Sequence, residues 1–184
     1  MRSRDVLLQS FPLLLICGIG QIFTGSILGN MEGILSRTPG LLVLIPAIIG
    51  LRGNINAALG ARLGSATHLG LIDAKHIWGK ELGTNVNSSL ILSVIMSLMV
   101  GLIAYATCRI FGVAGADASN IILIALIAGT VSGVILALLT VGIILLAFRF
   151  SLDPDNVTGP ALATFGDIIT MLCIFGAAFL LGGA

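Results

Sequence analysis

Charged residues are scarce in this sequence. Of its 184 residues, 9% are charged and 57% are hydrophobic, whereas a soluble domain carries about 25% charged residues. This number of charges is too small to cover the surface of a soluble domain of this size. We therefore expect lipid to be the solvent for much of the chain. The net charge of +1 gives no basic footprint for nucleic acid, and we expect no such partner.

Cysteine is rare and dispersed. Cys17, Cys108 and Cys173 each lie inside an apolar run and far from one another, which excludes a disulfide framework and a zinc motif. The sequence also contains no nucleotide-binding loop, no nucleophile elbow and no pair of catalytic acids. We therefore expect neither an enzyme nor a bound cofactor.

Long apolar runs make up most of the chain. A transmembrane helix needs about 20 apolar residues, and the pattern predicts an all-α, polytopic fold in which residues 1–184 form a single transmembrane domain. The first run continues to about Leu35 without a convincing cleavage site, so we interpret it as a span and not a signal peptide. The five predicted spans are 6–35, 41–71, 85–111, 120–148 and 160–181.

Lysines and arginines in the connections predict the orientation. With a cytoplasmic N-terminus, six of them lie inside and two outside, which favours a cytoplasmic N-terminus and an external C-terminus. The inside set is Arg2, Arg4, Arg62, Lys75, Lys80 and Arg149, and the outside set is Arg37 and Arg109. We expect an integral, multi-pass protein of the plasma membrane.

Small residues recur four positions apart, which is typical of closely packed membrane helices. Plain bundle packing explains most of them, and a dimer seam or a transport path is the alternative for a minority. The pairs are Gly25 with Gly29, Gly29 with Gly33, Gly60 with Gly64, and Gly129 with Gly133.

A first polar segment lies at 46–56. Pro46, Gly50, Gly53, Asn54 and Asn56 interrupt an otherwise hydrophobic helix. Helix breakers free backbone carbonyls, and carbonyls and asparagine amides are hard oxygen ligands suited to Mg²⁺ or Ca²⁺. A packing kink, with asparagines bonded to neighbouring helices, explains the segment equally well.

The second segment contains the one acidic residue inside the fifth span, Asp167. Thr158 can cap this helix and Pro160 fits its first turn, which places Asp167 about two turns in. An aspartate at membrane depth costs a few kcal/mol, so a cation, a partner or water has to offset it. A salt bridge from Asp167 to Arg52 or Arg62 is the alternative.

Three neighbours share the face of Asp167. The Ala163 carbonyl lies four residues before it, and Gly159 and Thr170 lie on or near the same face. These are candidate residues of an ion path.

Asp153, Asp155 and Asn156 precede this helix at the predicted cytoplasmic mouth. Carboxylates there would concentrate cations and could supply the coupling site of a carrier. An Asp-Pro-Asp-Asn turn before a helix is at least as good an explanation.

The sequence resembles the MgtE family of magnesium channels and the related solute-carrier-41 magnesium transporters. The resemblance lies in four segments, 46–54, 57–67, 153–156 and 166–167. The resemblance implies a homodimer of five helices per subunit with a pore on the two-fold axis. It implies that Asp167 is the pore aspartate and that the Ala163 carbonyl lies one turn earlier.

The resemblance further implies that the Gly50 and Gly53 carbonyls and the Asn54 amide line the path, around Mg²⁺ that keeps most of its water. The sequence departs from the bacterial pattern at Gly159, where those members have asparagine, and near Ala57, where Asn56 is the nearest substitute.

Bacterial members also carry large cytoplasmic regulatory domains, and eukaryotic carriers fuse two five-helix units in one chain. We expect this sequence to form a single five-helix unit that lacks the regulatory domains and dimerises. The predicted function is transport of divalent cations, Mg²⁺ above all, as a channel or as a Na⁺- or H⁺-coupled carrier. A membrane scaffold subunit that transports nothing is the alternative from another class.

Overall fold

The computed structural model describes residues 3–70, 79–149 and 154–182. Within those ranges the chain forms helices joined by short connections. The helices are α1 (Ser3–Gly29), α2 (Glu32–Arg37), α3 (Leu41–His68), α4 (Lys80–Ile110), α5 (Ala118–Arg149) and α6 (Pro154–Gly182).

Four of these helices contain segments long and apolar enough to cross a membrane. The segments are Leu41–Thr67, Lys80–Ile110, Ala118–Ala147 and Gly159–Leu181, and α1 adds a shorter apolar stretch, Leu14–Gly29. The prediction of an all-α, polytopic integral membrane protein is confirmed. The orientation inferred from lysines and arginines stays a prediction.

Two helix boundaries differ from the predicted spans. The first predicted span is divided, because α1 ends at Gly29 and the short α2 begins at Glu32. The last helix begins at Pro154, so Thr158 lies within it and does not cap it, and Pro160 is an interior residue. Pro154 explains the earlier start, since a proline is tolerated in the first turn, where its missing N–H has no helical partner.

Helices α3 to α6 form the centre of the bundle. Helix α6 packs against α5, α3 and α1, and α4 and α5 pack against each other and against α3. One apolar cluster includes Leu44, Ile48 and Ile174, and a second lies towards the other end around Leu59 and Leu63. Asp167 in α6 and Asn54 in α3 both lie near the middle of their helices, within this packed length.

The α4–α5 contact depends on small residues. A Cβ at Gly129 would overlap the Ser97 side chain, and a Cβ at Gly133 would lie 2.9 Å from Oγ of Ser93. Gly101 of α4 also lies close to α5, where its Cβ would lie 3.1 Å from Cα of Ile122. The predicted Gly129–Gly133 pair therefore serves packing within one chain.

Other glycines have no such neighbours. A Cβ at Gly25, Gly29 or Gly33 would meet nothing within 4 Å among the described residues. Packing inside the described bundle therefore does not explain why these positions are glycine.

Candidate functional site

Asp167 lies half-buried on α6, and its carboxylate faces α1. The amide Nε2 of Gln21 donates a hydrogen bond to Oδ2 of Asp167. The two arginines weighed as alternative partners bond elsewhere. Arg52 donates to Ser93 and Ser97 of α4, and Arg62 donates to residues 85 and 89 of the same helix.

Gln21 was not among the site residues predicted from the sequence. The signal was present, because an amide inside the first apolar run is a polar group at membrane depth and hence a functional candidate. What the sequence lacked was any indication that this residue meets Asp167, 146 positions further along the chain.

Helices α1 and α6 approach closely just beside this contact. Gly20 lies against Thr164, whose methyl group a Cβ at position 20 would overlap. One turn earlier, the Cys17 thiol donates to the Pro160 carbonyl at 3.6 Å. At these contacts the residue numbers increase in the same direction along α1 and α6, so the two helices run parallel. The close approach at Gly20 brings Gln21 within reach of Asp167.

The exposed face of α3 carries small residues and an amide. Ala47, Gly50 and Asn54 are exposed at helical spacing, and a Cβ at Gly50 or Gly53 would meet nothing within 4 Å. The glycines do not interrupt the helix as predicted, since α3 is continuous from Leu41 to His68. A helical carbonyl retains a second lone pair, so glycine here leaves carbonyl oxygens accessible without breaking the helix.

Asn56 does not share the exposed face with Asn54. Its side chain is 3% exposed, and its amide donates to the Arg52 carbonyl one turn earlier at 2.8 Å. The structure therefore places Asn54 at the surface of the chain and Asn56 inside it.

The candidates on α6 also divide. Gly159 and Ala163 are exposed on the same side of the helix as Asp167. Thr170 is fully buried, and within the described part of the chain its hydroxyl has no hydrogen-bond partner. Asp153 and the side chains of Asp155 and Asn156 lie outside the described residues.

The ligand set of one chain is small. Among residues 3–70, 79–149 and 154–182, no group of three or more histidines, cysteines, aspartates or glutamates lies close enough to hold a metal ion. Asp167 offers one carboxylate, and the amide of Gln21 is the polar group that it contacts. This arrangement suits an ion that keeps most of its water, and not a dehydrated ion held in a cage of protein ligands.

The rest of the described surface is suited to lipid. Helices α4 and α5 present large apolar side chains outward, among them Ile95, Leu98, Ile103, Ile135 and Leu138. The exposed residues near the middle of α3 and around Asp167 in α6 include alanine, glycine and asparagine, although large apolar side chains such as Phe165 are exposed there too. The share of small and polar residues distinguishes these two helices from α4 and α5.

Arg52 lies on the inner side of α3. Its side chain is 0% exposed, and its Nη2 is 3.3 Å from both the Ser93 carbonyl and the Ser97 hydroxyl. Within the described residues Nε and Nη1 have no hydrogen-bond partner. A guanidinium stays charged, so the bundle holds a poorly compensated positive charge near the middle of α3.

Comparison with known proteins identifies a family. A family model described as "MgtE: Divalent cation transporter" matches residues 45–177, which include most of α3 and α6 and all of α4 and α5. Gln21 and the rest of α1 lie outside the matched range.

Curated relatives resemble most of the chain. Solute carrier family 41 member 3 of Rattus norvegicus is 27% identical over 166 residues, which cover 86% of this chain and 35% of the relative. Member 2 of the same family is 28% identical in Gallus gallus over 92% of this chain and 30% of the relative. The Homo sapiens member 2 is also 28% identical, over 89% and 29% respectively. The chain spans about a third of the length of these relatives.

Proposed function

Because the chain belongs to the MgtE family of divalent cation transporters, we propose that it carries divalent cations, Mg²⁺ above all, across the bilayer through a path between two copies. Membership of a transporter family agrees with the expectation that the protein is not an enzyme. Mg²⁺ is the substrate in this proposal, and no bound cofactor takes part.

The observation that supports the proposal best is the small, polar face of α3 and α6. Gly50, Asn54, Ala163 and Asp167 lie at mid-helix, and in lipid the carboxylate alone would cost a few kcal/mol. Covering this face with the same face of a second copy removes it from lipid and creates a polar path on a two-fold axis.

Charge supports Mg²⁺ as the substrate. Two symmetry-related Asp167 carboxylates match the two charges of the ion. Carbonyl oxygens at Gly50, Gly53 and Ala163 and the side-chain oxygen of Asn54 would accept hydrogen bonds from the ion's water shell, since Mg²⁺ dehydrates reluctantly. Single carboxylates and many waters allow an ion to leave as well as to enter.

Channel and carrier differ in energy source. A channel passes Mg²⁺ down its own gradient, whereas a carrier couples the flux to Na⁺ or H⁺. The coupling residues proposed for a carrier are Asp153, Asp155 and Asn156.

The test is Mg²⁺ entry into liposomes containing the purified chain, followed with a Mg²⁺-sensitive dye. We expect uptake that is absent from protein-free liposomes. Uptake unchanged by Na⁺ or H⁺ gradients identifies a channel, and uptake that depends on one of them identifies a carrier. A folded protein that passes no divalent cation under any gradient would support the scaffold alternative.

The two-fold arrangement makes a second prediction. In a variant with Cys17, Cys108 and Cys173 replaced by alanine, Ala163→Cys in membranes should be cross-linked to a dimer by a short bifunctional maleimide, because the two copies of position 163 face each other. The matched control is Leu138→Cys on the outward face of α5, which is 60% exposed and should stay monomeric on a denaturing gel.

The contrary result is equally clear. If a monofunctional maleimide labels Ala163→Cys but the bifunctional reagent yields no dimer, this face does not meet its own copy.

A further inference from the structure

Gln21 occupies one of the two oxygens of the proposed ion-binding carboxylate. Its Nε2 donates to Oδ2 of Asp167, which makes Oδ1 the better placed oxygen to meet an ion. The amide joins α1 to α6 from a helix whose neighbouring side chains, such as Ile19, Ile22 and Phe23, are exposed and hydrophobic.

The backbone fixes this contact. Gly20 admits the methyl group of Thr164, and no larger residue could do so without moving α1 away from α6. Gln21 therefore follows a residue at which the two helices are in close contact. The packing of α1 against α6 thus positions its side chain for the hydrogen bond to Asp167.

The two common divalent cations use carboxylates differently. Ca²⁺ accepts six to eight oxygen ligands and often takes both oxygens of one carboxylate, whereas Mg²⁺ keeps near-octahedral geometry and several waters. A carboxylate oxygen that already accepts an amide N–H has one lone pair left and is a weaker ligand, so bidentate binding through both oxygens is disfavoured. The carboxylate can still bind a hydrated Mg²⁺ through its other oxygen.

We propose that Gln21 is a selectivity-determining residue, which holds Oδ2 of Asp167 by a hydrogen bond and so weakens the bidentate coordination that Ca²⁺ often uses and Mg²⁺ does not need. This inference rests on the proposed transport function and adds α1 to the ion path. Gln21 acts through Asp167 and is a positioning residue.

The test replaces the amide by a side chain of similar length that cannot donate. In Gln21→Met, Oδ2 becomes free, and we expect Ca²⁺ affinity to rise about tenfold, the size of one hydrogen bond to a charged group, with Mg²⁺ affinity changing by less than about threefold. MgCl₂ and CaCl₂ are titrated calorimetrically into the full chain in nanodiscs, and flux of each ion is measured in liposomes.

Two further variants keep the test decisive. Gln21→Leu also removes the donor and adds no charge, so Ca²⁺ binding should gain here as well even if the methionine variant folds poorly. Asn30→Met is the matched control, because the Asn30 amide donates to the Ser26 carbonyl of its own helix at 2.8 Å and does not touch Asp167. This control should show the Mg²⁺ and Ca²⁺ affinities of the unmodified chain.

Failure of the inference differs from failure of the function. If the unmodified chain passes Mg²⁺ and both Gln21 variants keep its preference for Mg²⁺ over Ca²⁺, or lose affinity for both ions equally, the inference is wrong and the transport function stands. If the unmodified chain neither binds nor passes a divalent cation, the proposed function fails and the inference fails with it.

Discussion

Asp167→Asn should abolish Mg²⁺ uptake into liposomes or reduce it by at least about a hundredfold. A carboxylate about 5 Å from a dication contributes roughly 7 kcal/mol at an effective dielectric constant of 20, and the substitution removes two such charges from a dimer. Asparagine keeps the size of the side chain and can still bond Gln21, so the helix contact survives. The measurement is initial uptake rate at matched protein density.

A second aspartate provides the matched control. Asp117 is exposed in the connection before α5, and its Oδ2 accepts a hydrogen bond from the Asn120 backbone N–H at 3.2 Å. Asparagine caps a helix start about as well as aspartate does, so Asp117→Asn should fold normally and transport normally. Uptake that survives in Asp167→Asn and remains selective would remove Asp167 from the ion path.

Much of the fold is predictable from the apolar runs alone. Three of the predicted spans, 41–71, 85–111 and 120–148, lie close to α3, α4 and α5, because length and hydropathy identify a membrane helix directly. The last helix was placed too late because two prolines, Pro154 and Pro160, satisfy the same first-turn rule. A local pattern could not choose between them.

The face that each helix presents to its neighbours was less predictable. Asn54 and Asn56 are two residues apart and hence on different sides of α3, yet nothing in the sequence said which side would be covered. The Gln21–Asp167 contact joins the first and last helices, and its existence depends on how both are rotated about their axes. Such rotations are set by packing against several helices at once.

The glycines show the same division. Gly50 and Gly129 look equivalent in the sequence, since both lie in apolar helices near polar residues. In the structure Gly129 admits the Ser97 side chain, whereas Gly50 faces open space. Only the second kind needs an explanation outside the single chain, and the proposed path between two copies provides one.

Arg52→Met should make the protein more stable. The guanidinium has two nitrogens without partners among the described residues, and a poorly compensated buried charge is costly. Replacement of buried ionic groups by apolar side chains of similar volume is often neutral or stabilising by about 1 to 4 kcal/mol. The serines it leaves are satisfied without it, since the Ser97 hydroxyl also donates to the Ser93 carbonyl. Thermal unfolding in detergent micelles measures the change.

Two other substitutions separate charge from volume. Arg52→Ala removes the same charge but leaves a cavity among α3, α4 and α5, and loss of a large buried side chain costs about 2 to 5 kcal/mol, so it should be less stable than Arg52→Met. Arg62→Met is the matched control, because the exposed Arg62 bonds Asn85 at 3.0 Å and Ser89 at 2.8 Å. It loses two satisfied hydrogen bonds and should be slightly destabilised.

The stabilised variant should also bind Mg²⁺ more tightly. Gly133 of α5 lies beside Arg52, and Leu136, one turn further along α5, lies beside Gly166, so Arg52 and Asp167 are at similar depths in the bundle. We take the separation of the two charges as about one helix diameter, 10 to 12 Å. At that distance a positive charge repels a bound dication by roughly 3 kcal/mol at a dielectric constant of 20. Water in the path screens this repulsion, so we expect Arg52 to lower the affinity for Mg²⁺ by about tenfold. Because Arg52 weakens ion binding, it also speeds release of the ion. Arg52→Met should therefore bind Mg²⁺ more tightly and pass it more slowly. A fall in both stability and affinity would instead mean that Arg52 holds α3 in place through bonds to groups outside the described residues.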